Sequence, residues 1–212
     1  TMCMGAMMAL PQRDLKKLLA YTTVSALGMM TFLLGLGTET ALRALIVYIL
    51  VHALYKAALF LIVGAIDHEA GTRNLCELGG LRVLMPRSFA ASLLALLAMC
   101  GMLPFLGFIS KELVYEAAYH APVLAPVLLG ASFLTNTLTV FAALLCGALP
   151  FMGEINSKKN QVHEAPCSLW LPPLTLGTLG LLWGVAPASL DSLIVSPAFL
   201  AIAKHSTPAK LA

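Results

Sequence analysis

The sequence predicts an all-α protein, a polytopic transmembrane helix bundle with at least one broken helix. Three observations carry this expectation. Only 11% of the 212 residues are charged and 59% are hydrophobic, against about 25% charged and 45–50% apolar in soluble domains; the mean hydropathy is +0.89. Several apolar runs approach or exceed the roughly 20 residues that a spanning helix needs. The basic residues also sort by side when successive runs are taken to cross the bilayer in alternation.

The runs follow in order. The tail of a first span ends near Leu10, before the charged stretch Gln12 to Lys17. A second span runs from about Leu18 to Gly37, and a third from about Leu42 to Ile66. The fourth starts near Ser88 and reads as helical to about Leu103. It is broken by Pro104 and Gly107 and resumes from Ile109 to about Tyr119, because proline removes a backbone donor and clashes with the preceding turn. The fifth runs from about Val123 to Phe151. The sixth, Leu169 to Val185, carries Trp170 and Trp183 near its two ends, as interfacial anchors do. A weaker seventh segment, Ser189 to Ala203, reads as short, tilted or lying on the surface. The loops hold Gly71, Gly79 and Gly80, and the polar stretch 153–166. No signal peptide is visible, Thr1 is not an initiator methionine, and Met2 to Leu10 is already apolar. The expectation is a piece of a longer polypeptide that begins inside a span.

With alternating spans, Arg13, Lys16, Lys17, Arg73, Arg82, Arg87, Lys158, Lys159, Lys204 and Lys210 fall on one side, which is read as cytoplasmic. Arg43 falls on the other, and Lys56 and Lys111 fall inside spans. The five cysteines form no CxxC pair and read as small buried hydrophobes rather than a disulfide framework. The stretch from His68 to Thr72 begins like HExxH but ends in threonine, so no zinc pair forms. There is no Gly-x-Gly-x-x-Gly, no Walker sequence and no GxSxG elbow. The chain is therefore not expected to be an enzyme: no catalytic residue, metal ligand, cofactor or nucleic-acid partner is predicted.

Lys56 is the centre of the functional reading. Tyr48, His52 and Lys56 are spaced by four and share a helix face deep in the third span. Charged residues at that depth are rare, usually face protein or water, and often mark ion or proton paths. Histidine exchanges protons near neutrality, so His52 and Lys56 make a two-step proton wire. The competing reading is a lysine that snorkels to an interface, which the apolar sequence on either side disfavours. Lys111 and Glu112 follow the break at Pro104, a place where transporters often put ion sites. On position alone they also fit the end of a loop. Asp14, Lys16 and Lys17, followed by Tyr21, Thr22, Thr23 and Ser25, read on charge pattern as a cytoplasmic anchor with capping hydroxyls.

At this point the motifs resemble a family. The run from Gln12 to Ser25 resembles the Q-x-D-L-K-K-x-L-A-Y-S-T-V-S signature of antiporter-like membrane subunits, found in respiratory complex I, membrane-bound hydrogenases and Mrp-type multisubunit Na+/H+ antiporters. The third span resembles their H-x-x-x-H-x-x-x-K helix, and Gly101 to Glu112 their G-L-P-P-F-x-G-F-x-S-K-E segment. Ile66 to Arg73 and His163 to Pro166 resemble the A subunit of the Mrp type more than its complex I relatives. The resemblance covers nearly the whole chain. It implies that Lys16 matches a lysine near the central hydrophilic axis, that His52 and Lys56 match the proton-relay pair, and that Lys111 matches the lysine beside the exit path, with Glu112 tuning it. Three positions depart from the pattern: Tyr48 replaces the first relay histidine, Ala26 a glutamine, and Phe105 the second proline. A phenol is a poorer proton carrier than an imidazole at neutral pH. The family's essential glutamate–lysine pair lies on helices upstream of Thr1.

The resemblance implies cation/proton antiport, Na+ or K+ export driven by H+ influx, within a multisubunit complex in a bacterial plasma membrane. Partners are other membrane subunits and the lipid bilayer. Residues 1–150 are read as the C-terminal part of the proton-translocating module and 151–212 as following helices with a polar loop. Two alternatives stay open: a proton-pumping subunit of an NADH–quinone oxidoreductase or membrane hydrogenase, and a non-transporting structural subunit.

Overall fold

The computed structural model describes residues 1–121, 123–154 and 162–205, with side chains to Ile202. Lys158, Lys159, Lys210 and the Lys204 side chain lie outside the described residues. Among the described residues the structure is helical, with no β-strand. The helices are α1 (Met2–Ala9), α2 (Leu15–Leu36), α3 (Glu39–Ala70), α4 (Leu81–Leu84), α5 (Pro86–Cys100), α6 (Leu106–Tyr119), α7 (Ala125–Gly147), α8 (Cys167–Val185), α9 (Pro187–Leu190) and α10 (Ser196–His205). A π-helical turn, Asp191–Val195, joins the last two. Four segments are long and apolar enough to cross a membrane: Leu15–Leu36, Glu39–Ala70, Ala125–Phe151 and Cys167–Val185. Helices α5 and α6 are the two halves of the broken span, separated by Gly101–Phe105.

The sequence sets the helix ends. The Asp14 carboxylate accepts from the backbone N–H of Lys16 (2.9 Å) and Lys17 (3.0 Å), capping α2. Gly37, in the left-handed region at φ 64°, ends that helix. The Thr38 hydroxyl accepts from Ala41 N–H (3.1 Å) and starts α3 at once. At 32 residues α3 is about 48 Å long and outreaches the hydrocarbon core.

Helix α3 packs against α2, α5, α6 and α8, and most of the large apolar core forms along it. Large side chains on the outer faces, such as Phe133 and Phe141, are exposed, which suits contact with lipid. Helices α1 and α2 cross closely: Ser25 Oγ donates to Met2 O (2.7 Å), and a Cβ on Gly28 would meet Met2 N at 2.4 Å. Small residues at such crossings let membrane helices approach.

The predicted charge asymmetry corresponds to two distinct ends. At one end the first loop zips against the loop after α3: Leu15 N–H donates to Arg73 O (3.1 Å) and Leu75 N–H to Arg13 O (2.8 Å). Arg73 Nε donates to Asp14 Oδ2 at 2.6 Å and Lys16 Nζ to Asp67 Oδ2 at 2.8 Å. Burial works to raise the Asp14 carboxyl, but hydrogen bonds from Lys17 N–H, the Arg73 guanidinium and Lys16 N–H outweigh it and hold the group below the usual carboxylate range. At the other end Arg43 sits 3.9 Å from Asp191 and 4.4 Å from the Phe199 ring centre. The seventh segment stays at that end: Phe199 and Ile202 line a groove with Gly37, Thr38 and Glu39. It therefore lies along the far side and does not recross. The expectation that Lys204 reaches the crowded side is corrected, because α10 has only three residues beyond Ile202, about 4.5 Å of rise.

Candidate functional site

Lys56 lies 17 residues from the start of α3 and 14 from its end, about 26 Å and 21 Å along the axis. It is 5% exposed. Its ammonium turns towards α2, where Nζ donates to Leu19 O (2.9 Å) and to the Thr22 hydroxyl. Thr22 also donates to Leu19 O at 2.9 Å, so carbonyl, hydroxyl and ammonium form one closed group. The Phe60 ring lies 5.9 Å from Nζ. Mid-helix hydroxyls that bond back to their own backbone give α2 a polar notch, and Lys56 fills it. Thr22 is therefore not a cap; it is the lysine's partner, a role that charge pattern did not reveal.

Tyr48 and His52 share a face as expected. Their rings are stacked, 6.2 Å apart and 12° from parallel. The His52 Nδ1 bond goes to the Tyr55 hydroxyl, one turn on, at 3.0 Å. The structure thus pairs His52 with Tyr55 and Lys56 with Thr22, leaving the histidine and the lysine without a direct bond between them.

Lys111 occupies the break. Its Nζ donates to Cys100 O (2.7 Å), a carbonyl at the end of α5 that the helix itself leaves free. Gly101 ends α5 at φ 73°, and a Cβ there would lie 2.7 Å from Lys111 Cδ. Only glycine satisfies both the backbone conformation and the passage of the lysine stem. Gly107 lets the two halves meet, since its Cβ would fall 1.8 Å from Ala98 O. Gly184 of α8 seats on the break in the same way, with a would-be Cβ 2.1 Å from Pro104 O. Glu112 and Glu116 are exposed. Lys16 lies elsewhere, at the first turn of α2 in its pair with Asp67, with 42% of its side chain exposed.

Neither Lys56 nor Lys111 has an ion-pair partner among the described residues. Both ammonium groups rest on neutral oxygens. The described residues also contain no cluster of three or more histidine, cysteine or acidic side chains fit to hold a metal ion.

Membrane-length helices, a helix broken inside the bundle and a lysine buried among them define a polytopic membrane protein. The chain belongs to the NADH:quinone oxidoreductase/Mrp antiporter transmembrane family, which matches residues 1–139. It is 34% identical to the A subunit of the Na(+)/H(+) antiporter of Alkalihalophilus pseudofirmus and 32% identical to that of Bacillus subtilis, over 95% of this chain in each case. The match takes up 28% of either relative, so the chain spans little more than a quarter of their length. Among solved structures it resembles a chain of the Mrp complex from a Dietzia species, with TM-score 0.77 and 33% identity, covering 90% of this chain and 21% of that one. It also resembles a chain of the archaeal membrane-bound sulfane sulfur reductase, with TM-score 0.82 and 29% identity over 91% of this chain and 32% of that one. These likenesses identify a bacterial multi-pass plasma-membrane protein.

Proposed function

We propose that this chain supplies the downstream part of a cation/proton antiport module in a multisubunit membrane complex, and that Lys56 and Lys111 carry the proton. The observation that supports it is the pair of ammonium groups on neutral oxygens, Lys56 buried and Lys111 half-buried. With no carboxylate to fix its charge, such a lysine can release its proton and remain hydrogen-bonded. His52, with Tyr55, stands one turn from Lys56. Proton influx would drive export of Na+ or K+, and the membrane potential contributes about 2.3 kcal/mol per charge per 100 mV. The family likeness to the A subunits of Na(+)/H(+) antiporters favours antiport over other uses of the same helices. Nothing in this reading makes the chain an enzyme. Lys16 and Glu112 belong to it more loosely: Lys16 on the charged end with Asp67, and Glu112 beside Lys111 on the outer face.

The test is sodium- and potassium-dependent proton flux in inverted vesicles holding the full-length assembly, with and without Lys56→Ala. Loss of cation-dependent flux in an assembled variant is expected. Full flux would remove Lys56 from the path. A second reading, a proton pump in a redox complex, is favoured by the structural likeness to the sulfane sulfur reductase and to respiratory complex I from Thermus thermophilus (TM-score 0.79, 28% identity, 94% of this chain and 41% of that one). Redox-active subunits that co-purify, with no cation-dependent flux, would select it.

A further inference from the structure

At the end of the bundle opposite the crowded basic loops, a groove opens between α3, α6 and the segment that runs from α9 through the π-helical turn. Its volume is about 200 Å3, and Val47, Leu106, Ile109, Leu113, Leu190 and Val195 line it. Leu106, Ile109 and Leu113 form one stripe of α6, so the groove follows the helix axis for about 10 Å. A space of that volume and length is too narrow for a helix, which is about 10–12 Å across, and fits a single extended hydrocarbon chain. Arg43 and Asp191, both exposed, stand at its mouth. They are 3.9 Å apart, beyond the roughly 2.7–2.9 Å of a charge-assisted hydrogen bond. The guanidinium lies on the Phe199 ring, and Phe199 lines the second groove, of about 300 Å3, whose rim carries Glu39. Leu193 and Leu200 on the same segment are exposed, 70% and 62%, as suits a chain lying against lipid rather than water.

We propose that this end of the protein binds one phospholipid with a phosphoethanolamine headgroup, its phosphate on Arg43, its ammonium beside Asp191 and Glu39, and an acyl chain in the groove along α6. The inference stands whether or not the antiport reading holds. An apolar groove beside the bilayer is filled by chains, because unfilled space forfeits dispersion contacts along its walls. The charges at the mouth select the headgroup. Arg43 makes no hydrogen bond among the described residues, and its planar fork of N–H donors matches phosphate oxygens. Glu39 stands one turn before Arg43 on the same face of α3 and has no ion-pair partner among the described residues. Asp191 accepts from the Ser196 hydroxyl through Oδ2 (2.9 Å), which leaves Oδ1 to the mouth. One cation and two carboxylates complement a zwitterion with an N–H-bearing ammonium and repel a lipid of net negative charge. Choline offers the same phosphate, but its quaternary nitrogen has no proton to donate. The second groove, reached past the Phe199 ring, is where the lipid's other chain lies.

To test this, the full-length assembly is placed in vesicles of equal parts phosphatidylethanolamine, phosphatidylcholine and phosphatidylglycerol and then extracted in mild detergent. Mass spectrometry counts the lipids it keeps, and a density map of the same sample locates them. Phosphatidylethanolamine should be enriched, with its phosphate at Arg43 and a chain between α3 and α6. Arg43→Ala removes charge-assisted hydrogen bonds and should lower the retention of this lipid about tenfold or more. Asp191→Asn combined with Glu39→Gln should keep a lipid but lose the preference for ethanolamine over choline. Ile109→Trp fills the groove and should expel the lipid; if it prevents assembly, Arg43→Ala at the exposed mouth decides. A groove filled by protein in the map, equal retention of the three lipids, enrichment of phosphatidylglycerol, or unchanged retention in Arg43→Ala overturns the proposal.

Discussion

Lys56 is bonded to a carbonyl and a hydroxyl, and that choice of partners separates two roles that removal alone would confuse. If the residue only supplied positive charge, arginine would serve. If it must lose and regain a proton, arginine fails, because a guanidinium stays protonated in proteins. Lys56→Arg is therefore expected to lose cation-dependent flux as fully as Lys56→Ala, read in the same vesicles with assembly checked by co-purification. A residue at the charged end makes a different prediction. The Asp14 carboxyl is held below the ordinary range by its N–H donors and Arg73. A lowered folded value means that the group stabilises the fold above the ordinary carboxylate pKa of about 3.9. That contribution is lost as pH falls through the lowered value. Asp14→Asn should flatten the acid limb of a Tm-versus-pH curve below about pH 4 and leave the neutral region's slope unchanged.

Among the elements, the broken helix depends on contacts far away in sequence. Glu164 takes Arg87 N–H at 2.6 Å, Ser88 N–H at 3.3 Å and Ser88 Oγ at 2.7 Å, so it caps α5 from 76 residues away. Removing a cap typically costs 0.5–2 kcal/mol. Glu164→Ala should lower the Tm of the assembly, and glutamine, which keeps the acceptor but not the charge at the helix N-terminus, should lower it less. Gly101→Ala should be worse for function than for folding. The left-handed backbone costs about 1–2 kcal/mol for a residue with a Cβ, and the methyl would displace the Lys111 stem from Cys100 O, visible as lost flux in an assembled complex. The spans themselves were legible in the sequence to within a few residues, because hydropathy and the breakers Gly37 and Pro104 mark them; Gly107, read as a breaker, instead lies inside α6, and Gly101 ends α5. The break was legible too, and so was the burial of Lys56; Lys111 is only half-buried. What the sequence could not show is which oxygen each side chain meets. Thr22 reads as one hydroxyl of a capping group, yet it faces a lysine 34 residues on. The string from His163 to Pro166 marks a subfamily in sequence, and only packing reveals that Glu164 is a helix cap. Tyr55 beside His52 was within reach, since the two are three apart on one helix.

The whole molecule carries charge on a helix flank as well as at its two ends. Glu112 and Glu116 share an exposed face of α6, and a carboxylate at depth is costly against lipid. In the full-length assembly this face should be covered by protein or line a water-filled path. Nitroxide labels at 112 and 116 should therefore collide little with oxygen dissolved in the lipid, while a label at the exposed Phe133 should collide often. Equal collision at all three would place α6 at the lipid boundary. The two ends of the bundle also differ in construction. One is tied by ion pairs and backbone bonds between loops, the other by the Arg43–Asp191 contact and apolar packing.

Gly184 rests on the peptide groups of Pro104 and Leu106, and it belongs to a helix that follows the break by some 60 residues. A ribosome delivers α5 and α6 to the membrane first, with the interruption between them uncovered. The strut that closes it arrives only when α8 has been made. The Lys111 site is thus finished only after α8 has followed α6 into the membrane, and a nascent chain stopped short of α8 carries both lysines without the enclosure that α8 provides.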